Sequence, residues 1–101
     1  MASNNITLCI ENILNESFSP QVISVTNESH MHNVPDGSES HFKLLVVSDS
    51  FIDLSLVKRH QLVYKCLKAE MKLIHALSMH LYTKSEYDLN PDLVASPECV
   101  N

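Results

Sequence analysis

His30-Met31-His32-Asn33-Val34-Pro35-Asp36-Gly37-Ser38-Glu39-Ser40-His41-Phe42-Lys43-Leu44-Leu45-Val46-Val47-Ser48 is the part of the chain around which every other element can be placed. It contains the one glycine and three of the six histidines. Pro35-Asp36-Gly37-Ser38 is turn chemistry, because proline presets one backbone angle and glycine accepts a positive φ at no steric cost. Phe42 to Val47 is nearly all apolar, too short for a solid helix and rich in β-formers, which predicts a central strand covered on both faces. Upstream, Gln21 to Ser29 sets Val22, Ile23 and Val25 among Ser24, Thr26 and Asn27, the pattern of the first arm of a long-looped hairpin. His30, His32 and His41 then flank or sit in the loop.

Outward from this hairpin, Ile6, Ile10, Ile13 and Leu14 fall at helical spacing, with Asn4 or Asn5 as cap and Ser19-Pro20 as the stop. Downstream, Ser50 to Leu54 reads as a connection with a short helical turn, and Ser55 as the cap of a long helix running to about Lys72. Val63, Leu67, Met71 and Ile74 form its apolar stripe. In His75 to Thr83, Leu77, Met79 and Leu81 alternate with Ser78, His80 and Tyr82, predicting a half-buried strand with His80 on the wet side. Thr83-Lys84-Ser85-Glu86 has the spacing of a capping box and starts a last short helix. The predicted order is αββαβα, an α+β domain over residues 1–89. The segment 90–101, with Pro91 and Pro97, reads as a flexible tail.

A chain of 101 residues supports one hydrophobic core. Seven basic against twelve acidic residues give a net charge of −5, which argues against general binding to polyanions or anionic lipid. No apolar run approaches the roughly twenty residues that cross a bilayer, and the N-terminus lacks the order of a signal peptide, so a cytoplasmic address is the expectation. Cys9, Cys66 and Cys99 have no CxxC spacing and suggest neither a disulfide framework nor a zinc ribbon. Cys9 and Cys66 read as small buried hydrophobes, and Cys99 as free in the tail.

Topology makes the histidines interesting. The second strand, the long helix and the third strand form a βαβ unit, whose strands return parallel. Parallel neighbours start at the same end of a sheet and lie about 4.8 Å apart, so His75 is expected beside His41, with His30 and His32 arriving from that end. Converging neutral imidazoles suit a borderline metal or an iron–sulfur centre, and with no cysteine nearby the remaining ligands would come from another molecule. Five of the seven basic residues, Lys58, Arg59, Lys65, Lys68 and Lys72, lie on the long helix. That pattern reads as a solvated face or as a nucleic-acid footprint. Signals for catalysis are weak. Ser38, Ser40 and His41 lack a nucleophile-elbow context, Asp36 and Glu39 sit in a polar loop, and a single glycine excludes a phosphate-cradling pattern.

His32-Asn33-Val34-Pro35-Asp36-Gly37-Ser38-Glu39-Ser40-His41-Phe42, Arg59-His60-Gln61-Leu62-Val63-Tyr64 and His75-Ala76-Leu77-Ser78 closely resemble the BolA family. The likeness runs from the first helix to the tail, and Tyr82-Thr83 and Ala95-Ser96-Pro97 look like its bacterial members. The resemblance implies a class II KH-like fold, with a three-stranded mixed sheet covered by helices on one face. RNA-binding KH domains grip the backbone through a GXXG loop, which a chain with one glycine lacks. It further implies a non-enzymatic protein that pairs with a monothiol glutaredoxin around a shared [2Fe–2S] cluster, with none expected in the isolated chain. His75 matches the family's invariant ligand, His32 best matches the second, and His41 is the reserve. Bacterial members are also described as promoter-binding regulators of stress response and morphology. The matching surface here is Lys58, Arg59, Lys65 and Lys68, and self-association into a homodimer is left open.

Overall fold

The computed structural model describes residues 5–29 and 40–89. The Pro35-Asp36-Gly37-Ser38 turn, His30, His32, Cys99 and the 90–101 segment lie outside the described residues, as does Asn4. The first helix, α1 (Asn5–Phe18), turns Ile10 and Leu14 fully into the core, with Ile6 and Ile13 packed beside them. It ends where expected. Ser19 takes a positive φ of 44° and donates its amide to the Asn15 carbonyl at 3.1 Å, a turn that Pro20 cannot extend. Buried Ser48 closes the same end from below, its Oγ donating to the Phe18 carbonyl at 2.7 Å.

Strands β1 (Val22–Asn27), β2 (His41–Val47) and β3 (Ala76–Tyr82) form a sheet of order β1-β2-β3. The β1–β2 pair is antiparallel, from Val22 opposite Val47 to Asn27 opposite Phe42. The β2–β3 pair is parallel, from His41 opposite Ala76 to Val47 opposite Tyr82. Strand side chains alternate between faces, so Ile23, Val25, Leu44, Val46, Leu77, Met79 and Leu81 share one face, against which α1 and the second helix pack. Leu44 to Val47 are all buried, as a central strand covered on both faces requires.

Ser55 caps the second helix, α2 (Leu56–Cys66), accepting the Lys58 amide at 3.2 Å. The helix stops six residues short of the expected Lys72. After Leu67 (φ −101°, ψ 21°) the chain tightens into a 3₁₀ turn at Glu70–Lys72, which aims it back at the start of β3. Val63, Leu67 and Met71 stay on the core through that break, so the spacing of apolar residues does not report it. Cys9 is exposed rather than buried, being one residue off the apolar stripe of α1, and Cys66 is half-buried. The last helix, α3 (Lys84–Leu89), opens with a reciprocal capping box: Glu86 N–H donates to Thr83 Oγ1 at 3.2 Å, and Thr83 N–H to Glu86 Oε1 at 2.9 Å. No described helix is long and apolar enough to cross a membrane.

Candidate functional site

The starts of β2 and β3 are tied at one point, the Ser40 carbonyl, which accepts the amides of both His75 (2.7 Å) and Ala76 (3.0 Å). This tie and the parallel register bring His41 and His75 together across 34 residues of chain, with ring centroids 5.1 Å apart and planes inclined at 45°. His75 is exposed and His41 half-buried. Nδ1 of His41 lies 2.9 Å from Ser40 Oγ, a contact that helps to orient the ring. Two imidazoles sharing one tetrahedral ion, with metal–nitrogen distances of about 2.0–2.1 Å, have centroids about 5 Å apart, so this pair suits a common metal. Among the described residues no group of three His, Cys, Asp or Glu side chains is placed to hold an ion. The two imidazoles are donors that this edge could offer a metal.

A second feature lies on α2. Lys58 and Lys65 on the helix, and Lys68 and Lys72 just beyond it, are exposed as the spacing predicted. Arg59 is not part of that face, and the expectation that groups it with them is corrected. It is 5% exposed, donates from Nε to the Leu54 carbonyl (2.9 Å) and from Nη1 to the Leu81 carbonyl (3.1 Å), and grips Glu86 with both terminal nitrogens at 2.7 and 3.0 Å. It also lies over the Phe51 ring. With its donors committed inward, Arg59 has no fork to offer a phosphate. The hydrogen bond from Arg59, and then that from the Thr83 amide, holds Glu86 down to a pKa of about 2. Beside the lysines, Leu56, Val57, His60, Gln61 and Tyr64 line a shallow groove of about 350 Å³.

Other roles were not visible in the sequence. The Arg59–Glu86 pair joins residues 27 apart, and its only local hint was that Glu86 already sat in a capping box. Ser29, 3% exposed, accepts the amides of Ser40 (2.9 Å) and His41 (3.1 Å), a role its polar neighbourhood in the chain conceals. His80, read as solvated, is half-buried, and that burial, then nearby Lys43, lowers its pKa below 6.5.

Fold and edge together define a small α+β domain of αββαβα order that presents an imidazole pair at the shared start of two parallel strands. Comparison with known proteins gives that class its family. A model of the BolA-like protein family matches residues 14–86. The DNA-binding transcriptional regulator BolA of Vibrio cholerae is 48% identical over 93 residues, covering 90% of this chain and 88% of the relative. The solution structure of BolA1 from Mus musculus superposes with a TM-score of 0.82 at 38% identity, covering 95% of this chain and 79% of that one. The BolA domain of SufE1 from Arabidopsis thaliana gives 0.73 at 40% identity, covering 78% and 92%. The chain belongs to the BolA family.

Proposed function

We propose that this protein is a non-enzymatic, cytoplasmic partner of a monothiol glutaredoxin, with His75 and His41 supplying the imidazole half of a jointly held [2Fe–2S] cluster. The observation that carries this reading is the 5.1 Å approach of the two rings at an exposed sheet edge. An incomplete ligand set open to solvent is what a shared site needs, since the partner brings the remaining donors. Such a cluster, when bound, supplies a one-electron or transferable iron–sulfur unit whose potential imidazole ligation raises. The chain's own contribution is orientation. The Ser40 carbonyl aligns the two strand starts, and Ser40 Oγ engages one nitrogen of His41. Each imidazole must be deprotonated to bind, so assembly weakens as pH falls.

The test is anaerobic co-reconstitution with a monothiol glutaredoxin, followed by absorption and circular dichroism. His75→Ala is expected to abolish or strongly change the cluster signal, and His41→Ala to alter it. An unchanged spectrum in His75→Ala defeats the reading. If His32→Ala, and not His41→Ala, disturbs the signal, the second ligand comes from the 30–39 segment.

A second reading, binding of promoter DNA, is favoured by the V. cholerae relative's being named a DNA-binding transcriptional regulator and by the exposed lysines 58, 65 and 68. Titration of duplex DNA at several salt concentrations tests it. Each lost phosphate contact flattens the log–log salt slope by about one unit, so Lys65→Ala with Lys68→Ala is expected to flatten it by about two. An unchanged slope and affinity remove this surface.

A further inference from the structure

The outward face of α2 is more apolar than a surface helix ordinarily shows. Such a helix turns one apolar stripe to the core and keeps polar residues on the opposite side. Here Val63 and Leu67 are fully buried on the core side, yet Leu56, Val57 and Tyr64 are 63%, 65% and 43% exposed. Val57, Gln61 and Tyr64 follow one another at helical steps, with Leu56 and His60 beside them, and together they line the hollow of about 350 Å³. A second hollow of about 310 Å³ adjoins it across Gln61, lined otherwise by Leu54, Lys58, Leu62 and Lys65. The first is apolar. The second is rimmed by cations.

Charge sharpens the pattern. The chain carries a net −5, but no acidic residue stands between Asp53 and Glu70, where Lys58, Arg59, Lys65 and Lys68 lie. Arg59 is committed to Glu86, whereas Lys58 and Lys65 enter no ion pair with the described residues. Those two lysines are two helical turns apart, about 10 Å along the axis. Phosphates of a duplex would meet the lysines and leave Leu56, Val57 and Tyr64 in water, because a nucleic-acid backbone has no apolar side chain to seat beside them. A protein helix carries both kinds of group.

We infer that this face of α2 docks an acidic amphipathic helix of a partner protein. Apolar side chains of that helix fill the hollow at Leu56, Val57 and Tyr64, and carboxylates about two turns apart meet Lys58 and Lys65. Large exposed apolar patches rimmed by polar residues are what such interfaces leave on a free chain. The eleven residues of α2 measure about 16 Å, so the matching segment is about three turns long. The surface shares no residue with the His41 and His75 edge and does not rest on the cluster reading. It competes with DNA for the same lysines.

The experiment titrates the full ¹⁵N-labelled chain with a synthetic peptide of leucine, alanine and glutamate. The peptide is about 15 residues long, enough for an isolated helix to form in part. Its leucines make one stripe and its glutamates flank them. A control of the same composition is scrambled so that no stripe remains. The stripe peptide is expected to move the amide signals of Val57, Gln61 and Tyr64, and the scrambled one to bind at least about 5-fold more weakly. Val57→Ser and Tyr64→Ser are each expected to weaken binding about 5-fold or more, as is Lys58→Gln combined with Lys65→Gln. All four positions are exposed, and an unchanged urea midpoint checks that each variant stays folded. Equal binding of the two peptides, indifferent to Val57 and Tyr64 and displaced by duplex DNA, gives the face to nucleic acid and overturns the inference. Signals that move elsewhere than α2, or no response to the stripe peptide, overturn it as well.

Discussion

Replacing Arg59 by methionine separates the two roles an arginine on α2 can have. Methionine keeps the aliphatic bulk beneath Phe51 but strips every donor. The Leu81 carbonyl faces away from β2 on the edge strand β3, and Arg59 is the donor seen to satisfy it; the Leu54 carbonyl loses Nε. One such buried acceptor left unmade costs about 1–3 kcal/mol. The Glu86 carboxylate is 46% exposed, so its ion pair is screened and adds only about 0.5–1 kcal/mol. Losing the cation over Phe51 adds about 0.5 kcal/mol. The total is a destabilisation of about 2–4 kcal/mol, read as a lower urea midpoint with an unchanged m-value. For a domain of this size that is a fall in Tm of roughly 10–25 °C. A change below about 0.5 kcal/mol, together with a flatter salt slope in DNA titrations, would refute the structural assignment and return Arg59 to the phosphate-facing surface.

Acid acts through the other half of that pair. Glu86 has a folded pKa of about 2 against an ordinary 4.5, so its stabilising effect is complete above pH 4.5 and is lost as pH falls toward 2. The stability gap between wild type and Glu86→Gln should therefore close across that window in urea melts. His80 is expected to titrate below 6.5 by NMR, because burial disfavours its charged form. Protonating it costs stability as pH falls below that value. Ser48→Ala removes the shorter of two hydroxyl donors to the Phe18 carbonyl, Ser50 Oγ at 3.5 Å being the other, and should cost about 1 kcal/mol by chemical denaturation. Leu44→Ala, at a fully buried position of the central strand, should cost about 3–5 kcal/mol.

Local chemistry was legible in the chain. The apolar run Phe42 to Val47, the Ser55 cap and the Thr83–Glu86 box each act within a few residues, and each forms as spacing and propensity predict. The parallel return of β3 also followed from sequence, because a strand–helix–strand unit has essentially one handed way to close, and that alone put His75 beside His41. Tertiary structure alone decided which polar groups became partners. Arg59 and Lys58 are adjacent in sequence and equally basic, yet 100° of helix rotation sends one under β3 and the other into water. Ser29 and Ser40 look like ordinary turn residues until the hairpin brings them together behind His41. Periodicity records which positions face inward over a few turns of chain. It holds no record of which distant donor meets which acceptor, since that depends on how helices and sheet are set against one another in space.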